Sequence, residues 1–215
     1  MKKFILVFAA LFLLVGNAFA LPVGASTTDD FWTVTDGTTS VDGNSNFKIT
    51  LENAGYEADF GIYMVDDLMN PANPVKFQIF AKTDEVGTYN FGQTVTFNEE
   101  AGSWFVSLDT TSWTLFSNVF GFYFTVYPGE NALPYDLYTS NVLNPGNEEY
   151  IATLFEPGSK QVMIYLDDQL GDGSDRDFND MVVLGNDLRP VPEPATMMLL
   201  GLGLLGLAGV SRKRS

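Results

Sequence analysis

The chain has 215 residues, 27 acidic against 11 basic side chains, a net charge of −16, and neither cysteine nor histidine. Without those two residue types it has no thiol nucleophile, Ser-His-Asp triad or disulfide, and no His- or Cys-ligated zinc or haem site. Any metal would be held by oxygen, which favours hard cations. The acidic excess also argues against nucleic-acid binding, which requires a basic patch.

The first twenty residues read as a processing signal. Lys2 and Lys3 form a positive start, Phe4 to Val15 an apolar run too short for a bilayer span, and Ala18-Phe19-Ala20 a small-x-small cleavage site. Cleavage using Ala18 and Ala20 leaves Leu21 as the first mature residue. Residues 21–188 are then long enough for one domain with a substantial core, held without disulfides. Residues 21–190 carry 26 of the acids against six bases, Lys48, Lys76, Lys82, Lys160, Arg176 and Arg189, a net charge near −20.

Strand signals follow in series. Phe47–Leu51, Val75–Phe80, Gln93–Phe97 and Trp104–Leu108 alternate apolar and polar residues, the period of a half-buried strand. Phe120–Tyr127 is a nearly continuous aromatic and β-branched run. Ile151–Phe155, Gln161–Leu166 and Met181–Leu184 complete the series. Turn residues separate them at Asp42-Gly43-Asn44, Asn70-Pro71-Ala72-Asn73-Pro74, Tyr127-Pro128-Gly129 and Asn144-Pro145-Gly146. Nine to eleven short strands without a long helical period predict an all-β fold, a β-sandwich of jelly-roll-like form. Phe120, Phe122, Phe124 and Trp104 are expected in the core. Trp32, Trp113 and Tyr135 are candidates for a sugar-stacking platform.

Asp167 to Asp180 is the segment richest in chemistry. Six acids and Asn179 crowd a glycine-bearing loop between two strands. Carboxylates this dense repel one another, and a Ca²⁺ ion that accepts six to eight oxygens would neutralise them. Asp175, Asp177 and Asn179 repeat the alternating ligand rhythm that opens an EF-hand loop. Asp180 stands where that loop needs glycine, however, and Asn186 where it needs a bidentate glutamate, so this is no EF-hand. The expected ligands are Asp175, Asp177 and Asn179, with Asp168, Asp172 and Asp180 completing the shell. The competing reading is an ion-free acidic turn capped by Arg176 and backbone N–H groups.

The run Asp175-Arg176-Asp177-Phe178-Asn179-Asp180-Met181-Val182-Val183, after Asp167-Asp168, resembles the closing signature of a bacterial domain of unknown function found in exported and surface proteins. The resemblance extends back through Phe120-Gly121-Phe122-Tyr123 and Tyr138-Thr139-Ser140-Asn141, over about residues 115–187. Two departures stand out: Asp167-Asp168 replaces a Glu-Asp pair, and Asn147-Glu148-Glu149-Tyr150 lacks the histidine common there. That family has no settled activity, so the resemblance places the domain without explaining it.

The end of the chain has three parts. Residues 189–196 form a proline-rich stalk containing Val191-Pro192-Glu193-Pro194. Residues 197–210 form an apolar segment expected to be helical, and 211–215 a basic tip with Arg212, Lys213 and Arg214. The apolar run falls short of the roughly 20 residues of a full span, and the basic tip belongs on the cytoplasmic side. Motif, short span and basic tip in this order resemble the PEP-CTERM sorting signal. That resemblance implies processing by an exosortase, export to the envelope or surface of a Gram-negative bacterium, and a tail in the inner membrane before processing.

The leading expectation is therefore a non-enzymatic, envelope-attached β-sandwich with a structural Ca²⁺ site and a matrix role, binding polysaccharide. The alternative is a secreted glycoside hydrolase using two carboxylates about 5 to 9 Å apart. Carboxylates are too plentiful here for composition to single out such a pair.

Overall fold

Period-two patterning becomes two packed sheets in the computed structural model of the protein, which describes residues 25–26, 29–35, 42–52, 55–64, 74–88, 92–129, 132–156, 158–171, 174 and 176–191. The strands are β1 (Trp32–Val34), β2 (Asp42–Glu52), β3 (Glu57–Met64), β4 (Val75–Phe80), β5 (Gln93–Glu100), β6 (Ser103–Ser107) and β7 (Thr114–Phe116). They continue with β8 (Gly121–Tyr127), β9 (Tyr135–Tyr138), β10 (Ile151–Glu156), β11 (Gln161–Leu166), β12 (Met181–Gly185) and β13 (Leu188–Pro190). All eight strands expected from the sequence form. β1, β3, β7, β9 and β13 were not foreseen.

A seven-stranded sheet runs β10-β11-β12-β2-β5-β6-β7, a four-stranded sheet runs β4-β3-β8-β9, and β1 pairs with β13 in a separate ribbon. The pairings between these strands are antiparallel. The chain crosses between the two larger sheets four times, after β2, β4, β7 and β9. Alternation sets which face is dry. In β11 Val162, Ile164 and Leu166 are buried while Met163 and Tyr165 lie on the outer face.

The core is an aromatic layer between the sheets. Phe47 of the larger sheet meets Phe60 and Phe122 of the smaller at ring separations of 5.8 and 6.2 Å. Phe60 also contacts Phe80 and Phe124. Phe120, Phe122 and Phe124 are fully buried, as expected, and the half-buried Trp104 packs against the cluster. Truncating one such ring to alanine costs about 3–5 kcal/mol in a typical core.

The ribbon ties both ends of the domain to this core. Trp32 is fully buried and exchanges backbone hydrogen bonds with Phe120 at 2.7 and 3.0 Å. Leu188 N donates to Lys160 O at 3.0 Å, and Val191 N to Phe31 O at 2.8 Å. The folded part thus continues into the first residue of the stalk motif. The signal residues Ala18 and Ala20, the motif residues Pro192, Glu193 and Pro194, and the apolar segment 197–210 lie outside the described residues.

Candidate functional site

The acidic loop joins β11 to β12, adjacent strands of the larger sheet, and it folds back over the end of the sandwich. Asp167 and Asp168 leave β11 fully buried. Asp167 N donates to Tyr150 O at 2.9 Å, and its carboxylate accepts from Gln169 N and from the Ser174 hydroxyl. Asp168 N donates to Asp180 Oδ2 at 2.7 Å, so the two ends of the loop close on each other. Asp168 Oδ2 accepts from Tyr56 N at 3.2 Å, and the Asp168 carbonyl accepts from the Tyr135 hydroxyl. Asp168 Oδ1 is buried with no hydrogen-bond partner.

That arrangement is electrostatically costly. Burial and the neighbouring Asp180 charge push the Asp168 carboxyl up to about 6, against the opposing hydrogen bond from Tyr56. The Tyr135 hydroxyl is also pushed up, by burial and then by the Asp168 charge. Arg176, the loop's own cation, forms an ion pair with Glu148 at 3.0 Å on the rim, where Tyr150 also donates to Glu148. Arg176 and Phe178 both hold left-handed φ, 54° and 53°, a costly conformation that turns the segment sharply at each.

Of the six expected ligands, the structure brings Asp168 and Asp180 together. Asp177 and Asn179 turn toward each other instead: the Asn179 amide and backbone N–H both donate to the Asp177 carboxylate. Asp172 and Asp175 lie outside the described residues. Among the described residues no three acids are gathered at metal-ligand spacing. The donor set nevertheless suits a hard divalent cation: oxygen atoms only, more than one carboxylate, and one buried oxygen still unanswered. The partners Tyr56, Tyr135 and Tyr150 were not associated with this loop from the sequence, because nothing local marks which tyrosine will cover a distant strand end.

A second polar cluster occupies the outer face of the smaller sheet. Asp59, Thr125 and Asp136 stand in one row across β3, β8 and β9. Asp136 accepts from Lys76 at 2.8 Å, Thr125 at 2.6 Å and Tyr138 at 3.1 Å. Burial raises its pKa, but the hydrogen bonds from Lys76 and Thr125 and the Lys76 charge outweigh that and hold it below the usual value. Asp59 accepts from Lys82 N and the Tyr127 hydroxyl, both at 2.7 Å. Lys76 and Lys82 lie over the rings of Tyr123 and Tyr127 at 5.0 and 4.6 Å. Beside this row Tyr63 packs over Gly121 and Tyr123 over Gly61. A Cβ at either glycine would fall 2.3 or 2.7 Å from the facing ring.

The three aromatic candidates separate clearly. Trp32 is inside the core, and Tyr135 points its hydroxyl at Asp168. Trp113 is 39 % exposed, next to Leu115 at 57 %, on the hairpin that ends the larger sheet. The turn beneath it is fixed by Asp109, whose carboxylate accepts from Ser107 Oγ, Thr111 N and Ser112 N at 2.8–2.9 Å. Hydrogen bonds from Ser112 and Thr111 hold Asp109 well below the usual carboxylate range, so the turn keeps its anchor in acid.

Comparison with known proteins gives one finding. The family described as the PEP-CTERM protein-sorting motif matches residues 190–214, beginning at the last residue of β13. The match covers the tail alone, and it marks an exported, envelope-associated protein of a Gram-negative bacterium handled by an exosortase. No curated protein and no solved structure matches the chain.

Proposed function

We propose that the β-sandwich is a non-catalytic module, held at the outer side of the envelope by its tail, that binds polysaccharide of the extracellular matrix and is braced by calcium. The observation that carries this reading is the sorting motif joined directly to the last strand, which makes the sandwich the cargo that the tail delivers. The motif supports membrane attachment through residues 197–210 before processing. Deleting Val191–Ser215 should release the domain to the periplasm or medium, as read by fractionation. Unchanged envelope retention would overturn the reading.

Polysaccharide binding is assigned to the hairpin edge carrying Trp113. An exposed indole on a turn that is already ordered can stack on a sugar ring with little additional loss of entropy. No lysine or arginine occurs between Gln93 and Phe116, so this edge suits a neutral glycan rather than an anionic one. Trp113→Ala should abolish retention of the full chain on neutral polysaccharide columns without lowering its melting temperature. Undiminished retention of that variant would remove Trp113 from the site. Calcium is assigned to the acidic loop through the unanswered oxygen of Asp168. Asp168 and Asp180 are the described residues that would hold the ion, which would offset the charge of the buried Asp167 and Asp168.

A further inference from the structure

We infer that the ion site is centred on Asp168 at the end of β11, not on the Asp175-Asp177-Asn179 series, and that its ion clasps the two sheets together. The inference rests on the calcium reading above and assigns the ion a place and a job. Asp168 is fully buried, and its Oδ1 has no partner, while Asp177 already accepts both N–H groups of Asn179. A buried carboxylate oxygen that nothing answers costs far more than an exposed one, so a cation gains most there. The Asp177–Asn179 pair instead braces the loop within itself.

The clasp follows from what else touches Asp167 and Asp168. Both belong to the connection between β11 and β12 of the seven-stranded sheet. Tyr56, whose backbone N–H reaches Asp168 Oδ2, sits on the crossing from β2 to β3. Tyr135, whose hydroxyl reaches the Asp168 carbonyl, belongs to β9 of the four-stranded sheet. Tyr150, whose carbonyl accepts from Asp167 N, sits on the crossing from β9 to β10, and its hydroxyl accepts from Gly171 N at 3.2 Å. Three segments from the smaller sheet and the two crossings therefore converge on one pair of buried acids. Without a cation these acids repel at the point where the sheets must be held. With one, the same contacts are pulled toward a common centre.

The test uses the full chain in detergent, titrated with Ca²⁺ in a calorimeter and followed by hydrogen exchange. Asp168→Asn should weaken Ca²⁺ binding at least a hundredfold, with Asp180→Asn as a second variant in case the first folds poorly. Asp177→Ala should weaken it less than tenfold. In the native chain, Ca²⁺ should slow exchange not only in the loop but also in β9 and around Tyr56. Tyr135→Phe should still bind Ca²⁺ but lose at least half of the slowing in β9. Binding that survives both Asp168→Asn and Asp180→Asn but not Asp177→Ala would overturn the placement. Slowing confined to 167–180 would overturn the clasp while leaving calcium binding intact. A native chain that takes up no Ca²⁺ would overturn the calcium reading itself.

Discussion

On the outer face of the four-stranded sheet Asp136 lies 2.8 Å from the Lys76 ammonium, whereas at the end of β11 the more deeply buried Asp168 keeps an oxygen with no partner. Both acids sit among tyrosines and both accept hydrogen bonds, yet they titrate in opposite directions. The first region is complete as folded: two lysines cross two tyrosines, and each acid has a cation or hydroxyl donor. The second leaves one buried oxygen unanswered. In a domain with six bases and 26 acids, lysines are scarce, and where the fold places them separates an acidic cluster whose charges are answered from one that keeps an oxygen over.

The largest effect is expected from breaking the complete region. Gly121→Ala would drive a methyl group into the Tyr63 ring, and overpacking of this kind costs about 1–3 kcal/mol. Thermal unfolding should show a drop of several degrees, partly restored by Tyr63→Leu; an unchanged transition would mean that the ring moves aside freely. Next comes one chemical change made in both regions. In the absence of calcium at pH 7, Asp168→Asn should raise stability by about 1–3 kcal/mol, because it removes an unanswered buried charge and can donate to Asp180. Asp136→Asn should lower it by about 1 kcal/mol or less, since the Lys76 pair is about one-third exposed. Denaturant unfolding of both variants reads the two signs, and equal signs would erase the contrast.

A smaller effect concerns pH. Asp168 is raised from 3.8 to about 6 in the fold, so the folded chain holds a proton there that the unfolded chain has released. Stability from this group is full below about pH 4 and is lost as pH rises through about 6. The calcium-free native chain should therefore lose melting temperature across that window relative to Asp168→Asn. Saturating calcium should remove the difference. Parallel curves for the two proteins would show that Asp168 titrates normally.

The sequence announced eight of these strands because their patterning is local. β3 was hidden by Glu57, Asp59 and Gly61, which break an apolar run for reasons that lie on other strands: Asp59 accepts from Tyr127 and Lys82, and Gly61 makes room for Tyr123. β1 and β13 are three residues each and exist only because distant ends of the domain meet. The loop from 167 to 180 was legible as an acidic segment. Its burial was not, because spacing singles out Asp175, Asp177 and Asn179, whereas the cover given by Tyr56, Tyr135 and Tyr150 to Asp167 and Asp168 comes from distant parts of the chain. The expected apolar segment 197–210 and the stalk beyond Val191 fall outside the described residues, so the family match alone speaks to them.

The ribbon of β1 and β13 also determines how the domain feels a pull. In the proposed role, tension between the tail and a matrix held elsewhere on the sandwich would enter the fold at Val191 and run along β13. That strand lies antiparallel to β1, with Trp32, Thr33 and Val34 opposite Pro190, Arg189 and Leu188. Drawing it out lengthwise loads its bonds to β1, with those of Leu188 to Lys160 and Val191 to Phe31, in shear, so that they must fail together rather than one after another. The next element in line is Trp32, seated at zero exposure against Phe122 and Phe155. If the tail tethers the domain as proposed, detachment is set by how slowly that ribbon yields, a rate rather than an equilibrium, and the hold can outlast what overall stability alone would suggest.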